Sequence, residues 1–75
     1  MKVINSNVVV AENVRRLRKS RRWSQEYCAE RCGLHRTYIG AVERGERNIT
    51  LGTLDSIATA MGTTALGLMT PKGKR

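Results

Sequence analysis

Residues 23–45 read W-S-Q-E-Y-C-A-E-R-C-G-L-H-R-T-Y-I-G-A-V-E-R-G, and the glycines at 33 and 45 divide this stretch into two short helices. Ser24 supplies the hydroxyl that an N-cap requires, which starts the first helix at Gln25. Cys28, Ala29 and Cys32 then share one small, apolar face. Gly33 ends that helix, because glycine takes the left-handed conformation that closes a helix. The second helix, over 36–44, starts after His35 at its N-cap and turns Ile39 and Val42 inward. Ala29 is the small residue at which the two helices can cross closely.

Outward from this pair the same logic places three more helices. A first runs from Val8 or Val9 to Ser20, with Val10, Val14 and Leu17 at helical spacing and Arg15, Arg16, Lys19 and Arg22 outside. A fourth, capped by Thr50, covers 51–61 with Leu51, Leu54, Ile57, Ala58 and Met61 at spacings of three and four. A fifth, capped by Thr64, covers 65–69 and stops at Thr70-Pro71. No strand signal competes. The expectation is an all-α, compact five-helix domain over 8–70, with an N-terminal arm at 1–7 and a basic tail at 71–75.

Seventy-five residues make one domain at most, with a small and locally built core. Lys and Arg number 14 against 6 Asp and Glu, a net charge of +8, and nine of the basic residues fall between Arg15 and Arg44. That concentration of charge on so small a body favours a polyanionic partner. No apolar run approaches the roughly 18 residues of a membrane span, and the N-terminus lacks the pattern of a signal peptide; the expected location is the cytoplasm. Cys28 and Cys32 have only His35 as a further soft ligand, short of a structural zinc site, and they read as reduced, buried small hydrophobes. No metal, cofactor or small-molecule ligand is expected. Neither paired carboxylates in a cleft nor a nucleotide-binding glycine loop suggests an enzyme.

The outer face of the 36–44 helix carries Arg36, Thr37, Gly40 and Ala41, one long donor and then small side chains. A helix that approaches base edges in a DNA major groove needs such a face, since bulk would hold it away. The pieces N-V-R-R-L-R-K (13–19), W-S-Q-E (23–26), C-A-E-R-C-G-L (28–34), R-T-Y-I-G-A-V-E-R-G (36–45) and R-N-I-T-L-G-T-L (47–54) together resemble the Xre/lambdoid phage repressor-type helix-turn-helix regulators. Within that family, R-T-Y-I followed by E-R and R-N is similar to restriction–modification controller proteins.

The resemblance implies a repressor-like fold with its helix-turn-helix at the second and third helices, and a transcription regulator that binds double-stranded DNA. It implies base reading by Arg36, Thr37, Gln25 and Ala41, and backbone contacts from Tyr38, Arg44, Arg47 and Asn48. Arg44 can alternatively complement the helix dipole, and Tyr38 can simply cover the core edge. Arg18 and Glu43 are expected to form a structural ion pair between the first and third helices; an exposed Arg18 would turn to phosphate instead. Trp23 is expected in the core at the junction of the first two helices. One recognition helix reads few base pairs, so a homodimer on an inverted repeat is expected, with Leu66, Leu68 and Met69 at its interface unless Leu66 and Met69 complete the monomer core. The competing assignment is an antitoxin or accessory DNA-binding subunit that holds a protein partner.

Overall fold

The computed structural model describes residues 6–46 and 49–72. They form five helices: α1 (Ser6–Ser20), α2 (Gln25–Cys32), α3 (Arg36–Glu43), α4 (Leu51–Ala60) and α5 (Ala65–Met69). There is no strand among the described residues. The all-α, five-helix expectation holds, with shifts at the boundaries. Helix α1 starts at Ser6, so residues 6 and 7 belong to the helix and not to an arm. The apolar periodicity marks only the turns that bury a face, and the first turn of α1 lies beyond that stripe. Arg44 and Met61, expected inside α3 and α4, instead cap them, at φ −91° and −96° respectively.

Local chemistry accounts for four of the other ends, while His35, at the N-cap of α3, makes no side-chain capping bond. The Ser24 hydroxyl accepts from the Tyr27 N–H, that of Thr50 from Thr53 and that of Thr64 from Gly67, each satisfying an amide that its helix leaves unpaired. Gly33 closes α2 at φ +71°, and the Leu34 N–H reaches the Ala29 carbonyl across it.

The helices close around one core built from Val10, Val14, Cys28, Ala29, Ile39, Val42, Leu54, Ile57, Ala58, Met61 and Leu68. Helix α3 packs on α2 and α1, while α4 and α5 pack on each other and reach α2 and α1 respectively. Both cysteines are free thiols in this core. Hydrogen bonding to Cys32, and then burial, push the Cys28 thiol far above its ordinary range. Trp23 is half-buried against the core, edge-on to Tyr27 at 5.3 Å between ring centroids. The Arg21 and Arg31 guanidinium groups lie 5.8 and 5.7 Å from its ring centre. Arg21 also donates to the Met61 carbonyl at the end of α4, tying the α1–α2 turn to that helix.

Candidate nucleic-acid interface

Helix α3 reaches the surface along one stripe, Arg36, Thr37, Ala41 and Arg44, spaced so that all four share a side. Arg36 and Thr37 are exposed on the first turn, Ala41 is half-buried and Arg44 is exposed at the end. Arg36 and Thr37 border a shallow groove between α2 and α3, walled opposite by Glu26 and Glu30. Tyr38 departs from the stripe: it is half-buried and packs against the core. Arg47 and Asn48 lie outside the described residues.

Beneath the stripe is a charged cluster. Arg18 Nε donates to Glu43 Oε2 at 2.6 Å and its Nη2 to Oε1 at 3.0 Å, while its Nη1 donates to the Trp23 carbonyl at 2.9 Å. Gln25 Nε2 donates to Glu43 Oε1 at 3.1 Å. Glu43 is only 4% exposed. Burial pushes its carboxyl upward, but the hydrogen bonds from Arg18 and Gln25 and the charges of Arg18 and Arg15 outweigh this and hold it below the ordinary carboxylate value. Glu43 in turn, through that hydrogen bond and its charge, pushes the Arg18 guanidinium further above its ordinary value. A forked guanidinium on a planar carboxylate has one good geometry, so the cluster fixes α3 in rotation as well as in distance. Gln25 is thereby held from both ends: its backbone opens α2 and its amide is bonded to α3.

Arg15 joins the same cluster although its position marked it as a surface charge. Its Nη2 donates to the Glu43 backbone carbonyl at 3.0 Å, near the end of α3. Only the length of the side chain signals this, since a long arginine on the rim of an apolar face can curl back to a neighbouring helix end.

The C-terminal residues divide. Leu66 is 71% exposed and Met69 is half-buried. Leu68, expected at a dimer interface, is instead 0% exposed and completes the core of its own chain, so it has no surface to offer a partner. Asn13 explains this placement. It is 2% exposed, and its Nδ2 donates to the Leu68 carbonyl at 2.7 Å and to that of Thr70 at 2.9 Å, which pins the end of α5 to α1. The sequence signal was a polar residue set between Val10 and Val14 on an otherwise apolar face.

No group of three or more potential metal ligands occurs among the described residues, and none of their helices is long and apolar enough to cross a membrane.

A short α2, a left-handed glycine turn and an α3 with an exposed stripe and a locked base form a helix-turn-helix. The HTH_3 helix-turn-helix family model matches residues 14–68. The chain belongs to this family of DNA-binding transcription regulators. It is 54% identical over 65 residues to the control protein C.SmaI of Serratia marcescens, covering 87% of this chain and 77% of that protein. The crystal structure of a hypothetical transcription factor from Neisseria superposes with a TM-score of 0.84 at 44% identity, over 88% of this chain and 76% of that one. That of the restriction–modification controller protein C.AhdI from Aeromonas hydrophila superposes with a TM-score of 0.78 at 39% identity, over 83% and 94%. These relatives are regulators and controller proteins, in line with the absence of enzyme motifs from the helix-turn-helix sequence.

Proposed function

We propose that this helix-turn-helix protein is a sequence-specific regulator that binds an inverted-repeat operator as a homodimer, in the manner of a restriction–modification controller. The observation that carries the reading is the stripe on α3, with Arg36 and Thr37 exposed at its leading turn above the cluster that Arg18 and Gln25 make on the buried Glu43. A guanidinium there can grip guanine O6 and N7 together, and the threonine methyl can meet a thymine methyl. Ala41 allows close approach. Gln25 beside the stripe and Arg44 at its end serve as backbone contacts, with Gln25 also a candidate for a base edge. Arg47 and Asn48 remain phosphate contacts on the sequence alone. The net charge of +8 supplies the non-specific attraction.

Two copies place their recognition helices about one turn of DNA apart, roughly 34 Å. Leu66, with Met69 beside it, is the apolar surface that this reading assigns to the dimer; Leu68 is withdrawn from it. The protein is read as acting in the cytoplasm, where its operator is.

Selection of bound duplexes from a random pool tests the proposal, with Arg36→Ala selected in parallel. The expected product is an inverted repeat whose information at one base pair collapses in the variant, a loss of about 1–3 kcal/mol in discrimination. Sequence-blind binding that Arg36→Ala leaves unchanged would sink it. Leu66→Glu is expected to yield a folded monomer in sedimentation and to lose preference for the repeat over a single half-site. A wild-type chain that occupies a half-site as tightly as the repeat contradicts the homodimer.

A further inference from the structure

Gly40 sits buried in the middle of α3, where glycine weakens a helix relative to alanine. Neither backbone conformation nor core packing calls for it. Its φ is not left-handed, and no backbone or apolar side chain fills the space a Cβ would take. What lies there is polar. Arg44 Nη1 is 3.3 Å from the Cβ position, and the Gln25 amide follows with Oε1 at 3.6 Å and Nε2 at 4.0 Å. Gln25 is bonded to Glu43, while Arg44 Nε makes a solvent-exposed pair with Glu46 at 3.1 Å. Gln25 is the first residue of α2, so the positive end of that helix adjoins the pair and favours an anion, although the Ser24 hydroxyl holds the Tyr27 N–H and Glu26 adds a carboxylate on the same turn.

We infer that Gly40 is a positioning residue for DNA binding: its bare Cα is the seat on which Arg44 lies beside Gln25, so that both meet one phosphate. This rests on the DNA-binding reading above and assigns Arg44 to the backbone and not to the helix dipole. A methyl at position 40 displaces the guanidinium, the far end of a flexible side chain, and leaves the fold intact.

The test measures binding to the selected duplex across a series of KCl concentrations, with thermal melting of each variant. Gly40→Ala is expected to melt no lower than wild type, to bind about three- to tenfold more weakly, and to lose about one unit of salt slope. Arg44→Ala is expected to lose the same unit. In the Arg44→Ala background, Gly40→Ala should change nothing further. An unchanged slope, fully additive losses, or a lower melting temperature in Gly40→Ala each overturns the inference. If wild type binds duplexes without sequence preference yet shows the Gly40 and Arg44 effects, sequence reading fails and this seat stands. If wild type selects a sequence and Gly40→Ala leaves the slope intact, the seat alone fails. A wild type that ignores duplex DNA overturns both.

Discussion

Under α3 the chain is held by charge: one buried carboxylate, Glu43, takes bonds from Arg18 and Gln25, while Arg15 holds the carbonyl of the same residue. At α5 it is held by an apolar plug, Leu68, and a single neutral amide, Asn13. Apolar contact is tolerant of rotation, whereas a forked ion pair is not. The strict device lies beneath the helix whose rotation decides which side chains face a groove. The tolerant one lies where the end of a short helix needs only to be kept in place. Buried ion pairs contribute little net stability compared with apolar replacements, so the choice under α3 makes sense for geometry more than for strength.

Removing one side of the strict device gives the largest effect. Glu43→Ala strands Arg18 at the base of α3 and is expected to cost about 3 kcal/mol or more in urea unfolding. Replacing both partners, Arg18→Met with Glu43→Leu, should recover most of that stability without restoring sequence selection. Recovery of both would show that the pair is not what sets the recognition helix. The sign of the pH dependence follows from the depressed Glu43 carboxyl. Its contribution is complete above the ordinary value of 4.5 and disappears as pH falls through the lower, folded value. Wild type should therefore lose stability on acidification more steeply than Glu43→Gln in a pH series of urea melts.

The tolerant end gives the next effect. Asn13→Ala leaves the buried Leu68 carbonyl without its donor, at a cost of about 1–3 kcal/mol. The loss should persist at acid pH, because nothing bonded to Asn13 changes charge there: Arg16, which donates to its Oδ1 at 3.1 Å, stays protonated. It should also weaken any self-association seen in sedimentation, since α5 carries Leu66. An Asn13→Ala chain that dimerises as well as wild type would separate α5 from the interface.

The parts of this comparison that were legible in the sequence are those set by neighbours along the chain. Ser24, Thr64 and Gly33 act within three or four residues of themselves; α2 begins and ends, and α5 begins, where those residues place them. The Arg18–Glu43 pair came from the family pattern and not from local chemistry. What stayed hidden depends on partners far apart. Arg15 finds Glu43 twenty-eight residues away, and Asn13 finds Leu68 fifty-five residues away. In a helix as short as A-L-G-L-M the spacing of Leu66, Leu68 and Met69 does not say which one turns inward; the position of α1 does. The reason for Gly40 is likewise hidden, because a glycine in sequence does not name the side chains that cross it.

The turn between α1 and α2 belongs to neither device and supplies the smallest effect. Arg22 occupies the left-handed region at φ +59°, almost the conformation that Gly33 takes at the other end of α2. An L side chain there costs roughly 1 kcal/mol, which glycine avoids. Its neighbours show why the turn persists: Arg21 reaches the end of α4, and the Trp23 carbonyl receives Arg18, so the chain is fixed on both sides of the strained residue. Arg22→Gly should stabilise the protein by up to about 1 kcal/mol, less whatever the freer unfolded chain gives back. The gain should be the same at neutral and acid pH and should leave self-association unchanged. A gain that vanished on acidification would mean that the turn is strained by the Glu43 cluster pulling on Trp23, and that the strict device extends further along the chain than α3.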